Sequence, residues 1–200
     1  MLFRRTALYL TAACLTALAV PGARAQTPEQ AAAFVQNLGN QLVGIVNGPG
    51  STEQKSAALT RVIDSSVDVA GVGRFCLGRF WRVATPQQQR EYETLFRKVL
   101  ISSITSKIGD YQGVRFTIGR TTPRPEGQVV ATTIAGPKKP PAEVDWVVRN
   151  VDGSPKIVDV VAEGTSLRLT QRDDYASFIV QHNDSVQALI DAMQRQASSA

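Results

Sequence analysis

The side chains able to do chemistry in this sequence are few and scattered. The one histidine, His182, stands before Asn183-Asp184 in a polar stretch and reads as a solvated loop residue. Two cysteines, Cys14 and Cys76, are too few to build a zinc site. Cys76 sits between Phe75 and Leu77, the setting of a buried thiol acting as a small hydrophobe. Arg74 and Arg79 are the cations that would otherwise activate it. Among the carboxylates, Asp145, Asp159 and Glu163 could form the acid pair that general acid–base work needs. Their alternation with apolar residues turns them to the opposite face of a sheet, where ion pairs with Arg149, Arg168 or Arg172 are the simpler reading. No G-x-S-x-G, P-loop or G-x-G-x-x-G run occurs, and Gly71-Val72-Gly73 lacks both the third glycine and a preceding strand. What remains is apolar, a pattern that suits an ordinary core as well as a binding surface; no catalysis, metal or cofactor is expected.

The densest stretch is Arg74–Pro86, which sets Phe75, Leu77, Phe80 and Trp81 among Arg74, Arg79 and Arg82. It leads into a helix signalled by Thr85 as N-cap, Pro86 at the first position and Gln88 closing a capping box. Tyr92, Leu95, Phe96, Val99, Leu100, Ile104 and Ile108 then recur every three or four residues, giving one apolar face. Upstream, Thr27-Pro28-Glu29-Gln30 repeats the same cap, and Phe34, Val35, Leu38, Leu42, Ile45 and Val46 form a stripe ending at Asn47-Gly48. Ser51 with Gln54 opens a second helix, and Val67–Leu77 reads as a short third one.

After Tyr111-Gln112-Gly113 the period changes to two. Val114–Gly119, Gln128–Ala135, Ala142–Val151 and Pro155–Thr170 read as about four strands of an antiparallel sheet, with Asp152-Gly153 as a hairpin turn. The loops Thr121–Gly127 and Gly136–Pro141 are proline-rich; Lys138 and Lys139 make the second a candidate basic lip for anionic headgroups or a partner protein. Asp173–Gln181 and Asp184–Gln196 return to helix. The expected architecture is α+β: N-terminal helices packed on a curved sheet, followed by C-terminal helices.

The first 25 residues stand apart. A basic head, an apolar run over Thr6–Val20 and Ala23-Arg24-Ala25 make a secretory signal peptide, with cleavage expected after Ala25. The remaining 26–200 are expected to form one domain, helical over 27–111, sheet over 114–170 and helical over 173–196. Removing Arg4, Arg5 and Arg24 leaves 19 of the 22 basic residues against 17 acidic ones. So slight an excess is not the charge of a nucleic-acid binder. With Cys14 gone as well, Cys76 has no partner for an intramolecular disulfide.

Gly78-Arg79 with Trp81-Arg82-x-Ala84-Thr85-Pro86-x-Gln88 resembles the phospholipid-binding, toluene-tolerance family typified by MlaC. So does the ordered series Glu143-Val144-Asp145-Trp146, Asp152-Gly153, Lys156-Ile157, Asp159-Val160 and Glu163-Gly164-x-Ser166-Leu167. The resemblance covers roughly residues 28–195. This chain departs from the family's pattern at Ile104, where an aromatic is usual, at Thr165, and at Thr170-Gln171-Arg172, which keeps only the Arg of an Asn-Tyr-Arg run. A hopanoid-associated branch (HpnM) shares the pattern. The resemblance implies a periplasmic carrier holding a phospholipid as cargo in an apolar cavity. Its partners would be an inner-membrane ABC transporter complex with a substrate-binding domain and an outer-membrane lipoprotein complex; together they would maintain outer-membrane asymmetry. The cavity residues it points to are Phe75, Leu77, Phe80 and Trp81 from the turn and Phe96, Val99, Leu100 and Ile104 from the helix. Val130, Val144, Trp146, Val148, Val158 and Val160 complete the set from the sheet. Two other readings stand beside it: an enzyme on a cone-shaped α+β fold using Asp145 or Tyr111, in the style of steroid isomerases, and an export chaperone for lipoproteins.

Overall fold

A computed structural model describes residues 26–137 and 139–198, so the expected signal peptide and Lys138 of the expected basic lip lie outside the described residues. Three helices begin as their caps dictate: α1 (Pro28–Asn47), α2 (Thr52–Ser66) and α4 (Pro86–Thr105), with α3 (Val69–Leu77) between the last two. The hydroxyls of Thr27, Ser51 and Thr85 accept from the amides of Gln30, Gln54 and Gln88 at 3.3, 3.3 and 3.2 Å. The glutamine side chains in turn accept from the cap amides at 3.0, 2.9 and 3.0 Å. Each box satisfies two amides that a helix start otherwise leaves orphaned. Asp68 caps α3 through Gly71 N–H at 2.9 Å. Its carboxylate lies 2.0 Å from where a Cβ on residue 71 would be, which is why a glycine inside this helix is tolerated.

Five antiparallel strands follow in chain order: β1 (Arg115–Arg124), β2 (Gly127–Gly136), β3 (Lys139–Val151), β4 (Ser154–Ala162) and β5 (Thr165–Ser166). The hairpins are tighter than their proline content suggests. Strand pairing runs up to Arg124↔Gly127 and Gly136↔Lys139, so most of the two expected loops is strand. Bulges between Ile118 and Thr121 and between Val147 and Val148 bend the sheet.

The expectation of one strand over Pro155–Thr170 needs correction. Glu163 (φ 50°) and Gly164 (φ 79°) form a two-residue reverse turn of the same hand as Asp152 (φ 49°) and Gly153 (φ 82°). Only Thr165 and Ser166 pair on the return, after which Ser166 caps α5 (Leu167–Gln181) through Leu169 N–H at 3.2 Å. That helix therefore starts six residues before the expected Asp173. Asn183 and Asp184, both left-handed (φ 58° and 57°), turn the chain into α6 (Val186–Ser198).

Among the described residues most buried apolar side chains form two separate clusters. The helical cluster joins Cys76, Leu77 and Phe80 to Tyr92 and Phe96 of α4 and to Ile179, Leu189, Ile190 and Met193 of the last two helices. The sheet cluster joins Ala31, Val35 and Leu38 of α1 and Val62 of α2 to Val130, Val148 and Ile157. Gly39 lets α1 settle directly on β1: a Cβ there would lie 2.3 Å from the Phe116 ring.

Candidate apolar site

The aromatic turn is built as a set of cation–π stacks. Gly78 (φ 57°) ends α3 and starts a 3-10 turn, Gly78–Arg82. Arg74 lies over Trp81 at 5.1 Å, Arg79 over Phe80 at 4.8 Å, and both Arg168 and Arg172 over Phe75 at 4.4 and 5.1 Å. A guanidinium stacked on each ring keeps the aromatics in place; Arg74 leaves its charge near water, whereas Arg168 is largely buried. Beneath them Cys76 is 1% exposed, and its thiol donates to the Arg168 carbonyl at 3.6 Å. Burial, reinforced by Asp159, pushes that thiol up to about 12, so it is inert as the sequence suggested. Tyr92 donates to the Gly73 carbonyl at 2.8 Å, and burial raises its phenol far above the ordinary range.

The expected cavity residues fall into three groups. Leu77, Phe80 and Phe96 are buried in the helical cluster, with Trp81, Val99 and Leu100 half-buried against it. Val130 and Val148 are buried in the sheet cluster, with Trp146 and Val160 half-buried against it. Phe75, Ile104 and Val144 are half-buried and Val158 is buried, all four outside both clusters. The two apolar surfaces that result carry fringes of half-buried side chains. On the sheet side the fringe includes Phe34, Leu42 and Ile45 of α1 and Phe116 and Ile118 of β1, residues the expected set omits. The helical stripe and the two-residue alternation of Val114–Gly119 already carried their signal.

A polar detail was less legible. Trp146 donates its indole N–H to the Thr132 hydroxyl at 3.0 Å, which donates onward to the Val144 carbonyl at 2.7 Å. Thr132 is 3% exposed, so a hydroxyl inside an apolar strand face is what fixes the large ring. Phe116 packs on Trp146 edge-on, with centroids 6.5 Å apart.

The charged candidates separate from these surfaces. Asp159 is the buried carboxylate: it accepts from Val160 N–H at 2.8 Å, Arg168 N–H at 3.2 Å and the Ser166 hydroxyl at 2.6 Å. The Arg168 Nε lies 3.3 Å from it, close enough for an ion pair but misaligned for a hydrogen bond. Arg149, by contrast, donates to the Glu126 carbonyl and not to a carboxylate, because the β1–β2 turn reaches it first. Asp145 pairs in register with Ala131 and Val161, on the face opposite Trp146. Tyr111 is 42% exposed in a 3-10 turn after α4. His182 caps α5, exposed, with its ring stacked on Phe178 at 4.0 Å. Among the described residues no group of three His, Cys, Asp or Glu is placed to hold a metal ion, and no helix is long and apolar enough to cross a membrane.

A family model described as MlaC protein matches residues 36–195. That span is most of the chain, and the chain belongs to the MlaC family. Its fold is shared by a phospholipid-binding protein from Ralstonia solanacearum, solved in complex with a phospholipid. The two superpose with a TM-score of 0.74 at 19% identity, over 84% of this chain and 97% of the other.

Proposed function

We propose that this MlaC-family chain is a non-catalytic carrier that holds a glycerophospholipid by its acyl tails between the two apolar clusters and ferries it across the periplasm. The observation that carries the reading is the split core. A chain of this size can bury one continuous interior, yet here two clusters each end in a fringe of half-buried aliphatic and aromatic side chains. Leu100, Val99 and Trp81 on one side, and Trp146, Val160 and Phe34 on the other, are the residues that would touch the tails. Leu77, Val130 and Val148, at 1, 0 and 0% exposure, would support them from behind. The physical demand fits. Two tails of some 30 methylenes cost on the order of 24 kcal/mol in water, at ~0.8 kcal/mol each. A carrier must offset most of that with apolar surface and still let go.

In this reading residues 1–25 direct export, and 26–200 form the single lipid-binding domain. The chain is the shuttle between an outer-membrane lipoprotein complex and an inner-membrane ABC transporter with a substrate-binding domain. Turnover is disfavoured as a second reading by where Asp145 and Tyr111 lie: one faces away from the apolar surfaces and the other faces solvent. The deciding experiment is native mass spectrometry of the mature protein, purified without detergent, followed by organic extraction. One or two glycerophospholipids per chain are expected. A hopanoid would keep the carrier and change its cargo, whereas protein that stays empty after incubation with phospholipid vesicles would refute it.

A further inference from the structure

We propose that Arg168 and Arg172, above Phe75, form a phosphate-binding site, and that the phosphate it takes is the headgroup of the cargo. The inference rests on the carrier reading for the identity of its ligand but on separate geometry for the site. The two arginines stand four residues apart on α5, hence on one face of the helix. Both guanidinium carbons lie within 5.1 Å of the same ring. A single cation satisfies a ring, and a second beside it meets like-charge repulsion that a shared anion would relieve.

The one carboxylate close by cannot fill that role for both. Asp159 already accepts three hydrogen bonds and meets the Arg168 guanidinium only through the misaligned Nε, while Arg168 Nη1 donates to the Val158 carbonyl at 3.4 Å. Among the described residues Arg172 makes no hydrogen bond or ion pair; its contact is the Phe75 ring. Asp173 and Asp174 follow it in sequence, but they are turned about 100° and 200° around the helix from it. It nevertheless lies close against the chain. Gly78 brings the backbone so near that a Cβ there would lie 3.0 Å from the Arg172 Nε. A guanidinium resting on a ring beside bare backbone, on an exposed residue, leaves its N–H fork free for phosphate oxygens. The site also sits at the rim of the helical cluster. Tyr175, one turn further along α5, packs into that cluster and meets Tyr92 edge-on at 6.1 Å.

The test loads delipidated mature protein from vesicles containing equal amounts of phosphatidylglycerol and of diacylglycerol with the same chains. Extracted lipid is then quantified. The wild type should favour the phospholipid by about tenfold or more, the usual strength of a charge-assisted hydrogen bond. Arg172→Gln should bring that ratio towards one with total acyl chain per protein unchanged, whereas Arg120→Gln should leave it alone. Should Arg172→Gln fail to melt cooperatively, Arg172→Lys keeps the charge without the fork and should fall between. A wild-type ratio near one, or a ratio insensitive to residue 172, overturns the headgroup assignment and leaves the carrier standing. Failure to load either lipid refutes the carrier instead. The site then stands only if inorganic phosphate raises the melting temperature of the wild type and not of Arg172→Gln, and no such shift overturns it as well.

Discussion

Gly39 and Gly44 lie on the same helix, and the same substitution should act on them in opposite directions. Alanine inside a helix is worth up to about 1 kcal/mol over glycine, because glycine loses more backbone entropy on folding. At Gly44, which is exposed and has nothing within 4 Å of an added Cβ, that gain should be realised almost in full. At Gly39 the new methyl would meet three ring carbons of Phe116 at 2.3, 2.4 and 2.7 Å, over 1 Å inside ordinary contact. The ring cannot swing clear freely, since Trp146 stands edge-on behind it. Overpacking of this kind costs about 1–3 kcal/mol, and so close a contact belongs at the upper end. After the helix gain, Gly39→Ala should lose ~2 kcal/mol while Gly44→Ala gains up to ~1. The two variants should therefore melt about 6–12 °C apart. Urea unfolding of residues 26–200 reads this directly, with unchanged m-values marking a pure stability effect. Tryptophan emission should shift in Gly39→Ala alone as the Phe116–Trp146 contact is disturbed. A Gly39→Ala protein as stable as the wild type would refute the close docking of α1 on β1.

Three further outcomes are expected. Asp159→Asn removes the charge facing Arg168 and leaves one acceptor oxygen for three donors; it should cost about 2–4 kcal/mol in urea unfolding, and a loss under ~0.5 kcal/mol would show the network to be dispensable. The Cys76 thiol ionises near 9 when unfolded and near 12 when folded, so the native state holds its proton longer. Its contribution is complete below pH 9 and is lost between 9 and 12, at up to about 1.4 kcal/mol per pH unit. Cys76→Ala should flatten that alkaline limb, and an identical limb would refute the buried thiol. Leu100→Asp places a carboxylate on the half-buried fringe and should abolish lipid retention in a protein that still folds; wild-type lipid content would remove Leu100 from the site.

The caps and turns were the most legible part of this chain because each is a local bargain between a few neighbouring groups. Thr27, Ser51 and Thr85 each start a helix with a glutamine three residues on, and Asp152-Gly153 reverses the chain as its left-handed preference demands. Glu163-Gly164 does the same, but Glu carries no such preference, so the end of β4 was hidden within a β-rich run. The early start of α5 was hidden for a related reason: Thr165 and Ser166 look extended until Ser166 is seen to cap. For the site, residue type and period separate apolar from polar faces, which put Asp145 opposite Trp146 correctly. They do not say which apolar residues pack against one another. Leu77 and Val130 are equally greasy in sequence, and only tertiary packing sends them to different clusters. Thr132 was invisible for the opposite reason, a polar residue whose partner is the indole of Trp146, fourteen positions away.

Because the strands lie side by side in chain order, nearly every sheet contact joins close neighbours in sequence. The meander can therefore assemble by successive short hairpins, each closing a loop of small entropic cost. The helical cluster follows another timetable. Gln88 meets Gln187 and Glu91 meets Gln194, contacts that span 99 and 103 residues. During synthesis the apolar face of α4, with Tyr92 and Phe96 on it, emerges long before α6 can cover it. Helix α6 is thus the piece that closes the helical cluster, and α4 carries an exposed greasy stripe until it arrives.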